Sequence, residues 1–98
     1  MDDSQIQVPE SFQSLFRQGA SARLNEPWHH VMARYETCED LAQGLAPQAR
    51  ALVADLGVTS LDVAQKVGAG LMHPSVGLSP EEAQWVVRRL QELLDHGL

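Results

Sequence analysis

Four residues in the first half of the chain carry side chains that commonly bind metal ions: Glu26, His29, His30 and Cys38. Adjacent histidines point about 100° apart on a helix, so Glu26 shares a face with only one of them. Cys38 lies further along, on the apolar side of the same helix. A zinc site typically needs three or four convergent ligands. We therefore expect a solvated helix start with one buried thiol and no bound cofactor, and keep a metal- or small-ligand-binding domain as the alternative.

Three carboxylates, Glu36, Glu39 and Asp40, follow at the i, i+3 and i+4 spacing of one helix face. Paired carboxylates can perform general acid–base catalysis, but only in a dry cleft that separates their pKa values. On the polar side of an amphipathic helix they are more often solvated. The spacing predicts an acidic docking patch for a basic partner and no catalytic residue.

The glycines of Gly68-Ala69-Gly70 resemble part of a phosphate-binding loop. The P-loop requires a lysine directly after its last glycine, whereas Lys66, the only lysine, precedes both glycines here. Helix fraying or close helix packing explains them better. The sequence therefore predicts no nucleotide hydrolysis and no enzyme of that kind.

Near the C-terminus, Trp85, Arg88 and Arg89 combine residue types that are enriched at protein interfaces. Trp85 falls between the polar face and the apolar stripe of its helix, so we expect it to be half exposed beside the two arginines. The alternative is that Trp85 closes the rim of the core against the loop over 73–78.

Two consecutive helices, over 59–72 and 79–95, invite comparison with a helix-turn-helix. The connection of about six residues is longer than the three or four of the DNA-binding motif. Glu81 and Glu82 would also bring negative charge to the end that enters the groove. We expect no nucleic-acid partner, and a helix-turn-helix binder is the less favoured alternative.

The elements that position these residues begin with a flexible arm over 1–8, in which Ile6 and Val8 could dock on a partner or on a second copy. A short helix is expected over 9–18, starting at a proline, with a loop over 19–25. Asn25 is the expected N-cap of the next helix.

The longest amphipathic pattern follows and keeps its apolar phase across Pro47. Either the helix kinks there, or it stops near Leu45 and a new helix starts at Pro47. We favour a kinked or nearly continuous helix ending at Gly57. Thr59 then caps a helix whose buried stripe is predicted to consist of Leu61, Ala64, Val67 and Leu71. Ser79-Pro80-Glu81-Glu82 is a strong helix start for the last element.

Length and charge limit the protein class. The 98 residues, with seven Lys+Arg and thirteen Asp+Glu, suffice for one core. No segment alternates like a strand, so we predict an all-α fold: a compact bundle of four to five helices, forming a single domain over 9–96. One cysteine allows no internal disulfide, and no apolar run is long enough to span a bilayer. We expect a cytoplasmic protein with no membrane contact.

Two segments, Ala33 to Ala42 and Glu82 to Leu90, resemble those of a group of small proteobacterial proteins often labelled "ATPase with chaperone activity". The resemblance covers most of the chain from Ile6 to Leu94. It implies a bacterial cytosolic protein whose partner is a chaperone or unfoldase complex. The label implies nucleotide hydrolysis, which the missing P-loop contradicts, so the chain would be an accessory to such a machine.

The sequence thus favours a non-catalytic adaptor or regulatory domain that binds a protein partner or, as a homodimer, a second copy. The residues expected to make the contact are Trp85, Arg88 and Arg89 on the last helix, and Glu36, Glu39 and Asp40 on the longest helix. Their opposite charges predict charge-complementary association.

Overall fold

The computed structural model describes residues 7–17 and 23–96. All regular structure in these ranges is helical, and no strand is present there beyond an isolated bridge between Arg17 and Leu24. The four α-helices are α1 (Glu10–Gln13), α2 (Trp28–Leu56), α3 (Ser60–Leu71) and α4 (Pro80–Asp95), with 3-10 turns at Ser14–Phe16 and Pro74–Val76. The predicted all-α helical bundle is confirmed.

The chain divides into two units, Met1–Thr37 and Cys38–Leu98, which are described separately, and α2 runs through the boundary. A single domain over 9–96 stays a prediction.

In the N-terminal unit, the first helix is shorter than predicted. Arg17 has extended backbone (φ −94°, ψ 144°), so helical structure ends at Phe16 and not at Gln18, which lies outside the described residues. Phe12 is fully buried, and its ring lies 5.6 Å from the rings of both Phe16 and Tyr35. These aromatic contacts, rather than helix length, hold the segment.

The predicted arm falls mostly on residues outside the description, Ile6 among them. Val8 is described and is buried, 6% exposed, and its carbonyl accepts a hydrogen bond from the Gln13 side chain. The Val8 side chain is therefore part of the local core, whereas a flexible arm over 1–8 stays a prediction.

Asn25 is not the N-cap of α2, which corrects a second prediction. Its backbone amide donates to the Phe16 carbonyl at 2.7 Å, and the helix starts three residues later, at Trp28. The Pro27 carbonyl accepts from the amides of His30 and Val31, so Pro27 occupies the position before the first turn.

Helix α2 continues through Pro47, as favoured from the sequence. Pro47 has no amide hydrogen for the carbonyl of Gln43, but both residues are exposed, so water can satisfy that carbonyl. The helix ends where Gly57 adopts a left-handed backbone (φ +67°) and its amide donates to the Val53 carbonyl.

Both later helices start at the predicted caps. The Thr59 hydroxyl accepts from the amide of Asp62, and Ser79 and Glu82 form a complete capping box. Glu82 is buried, although it is ionisable, and its carboxylate accepts a hydrogen bond from the Ser79 amide in this capping box. The eight-residue connection over 72–79 contains a 3-10 turn, which makes it longer than a DNA-binding helix-turn-helix allows.

The core of the C-terminal unit is formed by α2, α3 and α4. Its buried residues are Ala46, Ala49, Val63, Ala64 and Leu90, with partly buried Leu45, Val53, Val58, Val67, Val87, Leu93 and Leu94 around them. Three of the five buried residues are alanines, so the helices approach closely and leave little room for side-chain volume between them.

Candidate functional site

Two of the charged residues predicted to bind a partner, Glu39 and Arg89, contact each other within the C-terminal unit. The Arg89 guanidinium donates from Nε to Glu39 Oε1 at 2.9 Å and from its terminal nitrogen Nη2 to Glu39 Oε2 at 3.0 Å. Its other terminal nitrogen contacts Glu92 Oε1 at 3.2 Å. We call Glu39, Arg89 and Glu92 the charged edge; it joins α2 to α4 by a two-pronged bond of the strong, charge-assisted kind.

Both members of this pair are stabilised in their charged forms. Burial by itself would raise the pKa of Glu39, but hydrogen bonds from Arg89 and Gln43, together with the arginine charge, hold that pKa below its ordinary value. The hydrogen bond to Glu39 raises the pKa of Arg89. The pair therefore remains ionised at neutral pH.

The structure thus corrects the expectation of two separate, oppositely charged surfaces. Glu39 and Arg89 are half-buried against each other, and neither is a free docking charge. Glu36 and Asp40 are exposed, as predicted. Arg88 is exposed too, and it has no ion pair with any residue of the ranges 7–17 and 23–96.

Trp85 is 8% exposed, so the expectation of a half-exposed ring is wrong. Its burial agrees with the alternative of a Trp85 that closes the rim of the core, whereas its contact with the loop over 73–78 stays a prediction. A ring this deep presents little surface to a partner.

The candidate metal ligands do not converge. Glu26, His29 and His30 are exposed, whereas Cys38 is fully buried. The His30 ring instead lies edge-on to Phe16, with ring centroids 6.1 Å apart. No group of three or more His, Cys, Asp or Glu side chains able to hold a metal ion occurs in the described ranges.

The two glycines of α3 have different roles. A Cβ added to Gly68 would lie 2.2 Å from a methyl carbon of Val87, so α3 and α4 approach too closely there for any side chain. A Cβ on Gly70 would meet nothing within 4 Å. Close helix packing, one of the two explanations expected from sequence, therefore applies to Gly68 alone.

A groove of about 430 Å³ lies beside this close approach, along the outer side of α3 and α4. Leu61 is 43% and Met72 51% exposed on its α3 side, and Arg88 stands on its α4 side. Among the described residues that line it, Arg88 is the only charged one, and the polar ones are the three amides Gln65, Gln84 and Gln91. No carboxylate belongs to this described lining, although the chain is acidic. We call it the α3–α4 groove.

The sequence prediction of Leu61 as a buried residue is wrong. At 100° per residue, Leu61 lies roughly 90° from the mean direction of Ala64, Val67 and Leu71. This angle on the helical wheel is the sequence feature that indicates an edge position for Leu61, which the fold leaves exposed. For Met72, the C-cap residue after α3, no comparable sequence feature indicates exposure.

Comparison of the chain with protein-family models, with curated proteins and with solved structures finds no match. Among the described residues, no helix is both long and apolar enough to cross a membrane.

Proposed function

We propose that this chain is a non-catalytic adaptor or regulatory domain that binds a protein partner through the α3–α4 groove. The observation that carries the proposal is the exposure of Leu61 and Met72 beside a groove in whose described lining Arg88 is the only charged residue. Apolar side chains in a concave surface with a polar rim are typical of protein-binding sites.

The chemistry of the groove favours a particular contact. Its apolar residues suit aliphatic or aromatic side chains of the partner, and Arg88 suits a carboxylate. The three glutamine amides on its wall both donate and accept hydrogen bonds. Glu36 and Asp40, which are exposed on α2, remain a second and separate candidate contact for basic residues.

The charged edge and Trp85 are better explained as structural. Glu39 and Arg89 satisfy each other, and breaking such a pair to bind a partner would leave one charge unpaired. The proposal therefore keeps Arg88, Glu36 and Asp40 from the residues predicted by sequence and adds Leu61 and Met72.

Differential affinity capture tests the proposal. Tagged wild-type protein and the variants Met72→Glu and Arg88→Glu are used as baits in a lysate of the source cell, with the exposed Gln48→Glu as the matched control. We expect at least one protein to be retained by wild type and control and reduced about tenfold or more by both groove variants, since each charge change costs at least about 1.4 kcal/mol of binding. The captured protein, once purified, must then bind wild type, control and variants in a calorimeter with the same ranking of affinities.

Equal recovery of every captured protein by all four baits would contradict the α3–α4 groove as the site. A further variant, Glu36→Lys, reports on the second contact. Loss of the captured protein with this variant alone would show that the binding site is on α2.

A further inference from the structure

A second groove, of about 700 Å³, lies on the other side of α3, against the C-terminal half of α2. Its apolar wall includes Leu52, 37% exposed, and Leu56, 66% exposed, together with Val58. We call it the α2–α3 groove. Apolar side chains this exposed and this close together are characteristic of a surface that another chain covers.

The three polar residues of this groove share one outward face of α3 with Ala69. The four residues Asp62, Gln65, Lys66 and Ala69 follow at i, i+3, i+4 and i+7, and all four are exposed. Within the described ranges, neither the Asp62 carboxylate nor the Lys66 ammonium makes an ion pair. One negative and one positive charge, one turn apart, thus stand unpaired beside apolar surface.

This charge pattern is self-complementary in one arrangement. When two α3 helices lie antiparallel across a two-fold axis at the level of residue 64, Asp62 of each copy is opposite Lys66 of the other. The two copies of Gln65 are then offset by about 3 Å along the helix axis. At that offset a glutamine amide can still donate to and accept from its own symmetry mate. A two-fold interface requires such a match, because the same patch must fit itself.

We infer that a second copy of this chain occupies the α2–α3 groove, forming a two-fold symmetric dimer with antiparallel α3 helices and two Asp62–Lys66 ion pairs. The exposed Leu52 and Leu56 supply the apolar area, and the small Ala69 allows the helices to approach. The α3–α4 groove of the proposed function shares Gln65 and Ala69 with this surface, whereas Arg88 and Met72 belong to the α3–α4 groove alone.

Charge exchange tests the dimer by sedimentation equilibrium and native mass spectrometry of the full chain. We expect wild type to dimerise. Asp62→Lys and Lys66→Asp should each weaken dimerisation about tenfold or more, because each places two pairs of like charges face to face. An equimolar mixture of the two variants should form heterodimers at about the wild-type Kd, since both ion pairs are then restored between unlike chains. The heterodimer is identified by its mass.

Restoration on mixing separates dimerisation from folding, because a misfolded variant does not recover when a second variant is added. Glu26→Lys, a charge reversal at an exposed residue that lines neither groove, is the matched control and should leave the Kd within about twofold of wild type. A monomeric wild type overturns the dimer and leaves the groove to another protein. Single variants that dimerise like wild type, or a mixture without heterodimers, also overturn it. None of these outcomes affects the capture experiment, which tests the contributions of Met72 and Arg88 to partner binding.

Discussion

The charged edge and the two sides of α3 form contrasting surfaces within the C-terminal unit. The charged edge consists of ionisable residues, yet Glu39 and Arg89 use their hydrogen-bonding capacity on each other. The grooves on the two sides of α3 are lined by leucines and a methionine that are 37–66% exposed. A residue's type alone therefore does not show whether it is available to a partner; what counts is whether the fold already supplies its contacts.

The largest expected effect is on stability, and it differs between two leucines that have the same side chain but different burial. Leu90 is fully buried, whereas Leu61 is 43% exposed. We expect Leu90→Ala to lower the free energy of unfolding by about 2–5 kcal/mol, because it leaves a cavity. Leu61→Ala should lower it by less than about 1 kcal/mol, since much of that side chain is already in water. Urea denaturation followed by circular dichroism measures both; equal losses would show that Leu61 belongs to the core after all.

The next effect concerns the close approach beside the α3–α4 groove. Gly68→Ala should destabilise the protein by about 1–3 kcal/mol, because the new methyl group collides with Val87. Gly70→Ala, in the same helix but with open space around it, should instead stabilise by up to about 1 kcal/mol through helix propensity. Thermal unfolding of both variants checks the opposite signs, and a stabilising Gly68→Ala would contradict the tight α3–α4 contact.

The smallest effect tests the charged edge. A double-mutant cycle with Glu39→Gln and Arg89→Met should give a coupling energy of about 1 kcal/mol, because the pair is only half-buried. Glu36→Gln, on the same helix but exposed, is the control and should change stability by less than about 0.5 kcal/mol. A coupling energy of zero would mean that the two-pronged bond contributes nothing in solution.

The same pair predicts a dependence on pH. The pKa of Glu39 is lower in the folded protein than its ordinary value of 4.5, so its contribution is fully present above that value. It is lost as the pH falls through the folded-state pKa. The stability difference between wild type and Glu39→Gln should therefore shrink on acidification below about pH 4.5. Denaturation midpoints of both proteins across this range measure it; a difference that grows on acidification has the wrong sign.

Much of the fold is readable from local sequence. Thr59 and Ser79 start α3 and α4 because a hydroxyl that accepts a backbone amide acts within one turn. Gly57 ends α2 for a similarly local reason, its left-handed backbone. Asn25 shows where local reasoning stops: its amide is taken by the Phe16 carbonyl, a contact with a residue nine positions earlier.

The candidate site was less predictable than the fold. Arg88, Glu36 and Asp40 are exposed as expected, since charged residues on the polar side of a helix stay in water. Trp85, which was expected to be half exposed, is buried, and Leu61, which was expected to be buried, is exposed. Both lie at the edge of an apolar stripe. At such an edge, the neighbouring helix decides which side chain it covers.

Local sequence patterns predicted the all-α fold and the caps at Thr59 and Ser79, because hydrophobic period and capping chemistry operate over a few residues. The pairing of Glu39 with Arg89, fifty residues away, and the packing of Val87 against Gly68 are specified only in the folded structure. The same holds for the exposure of apolar residues in the grooves on both sides of α3. Pairing and burial depend on which helix faces meet, and no local interaction specifies which faces these are.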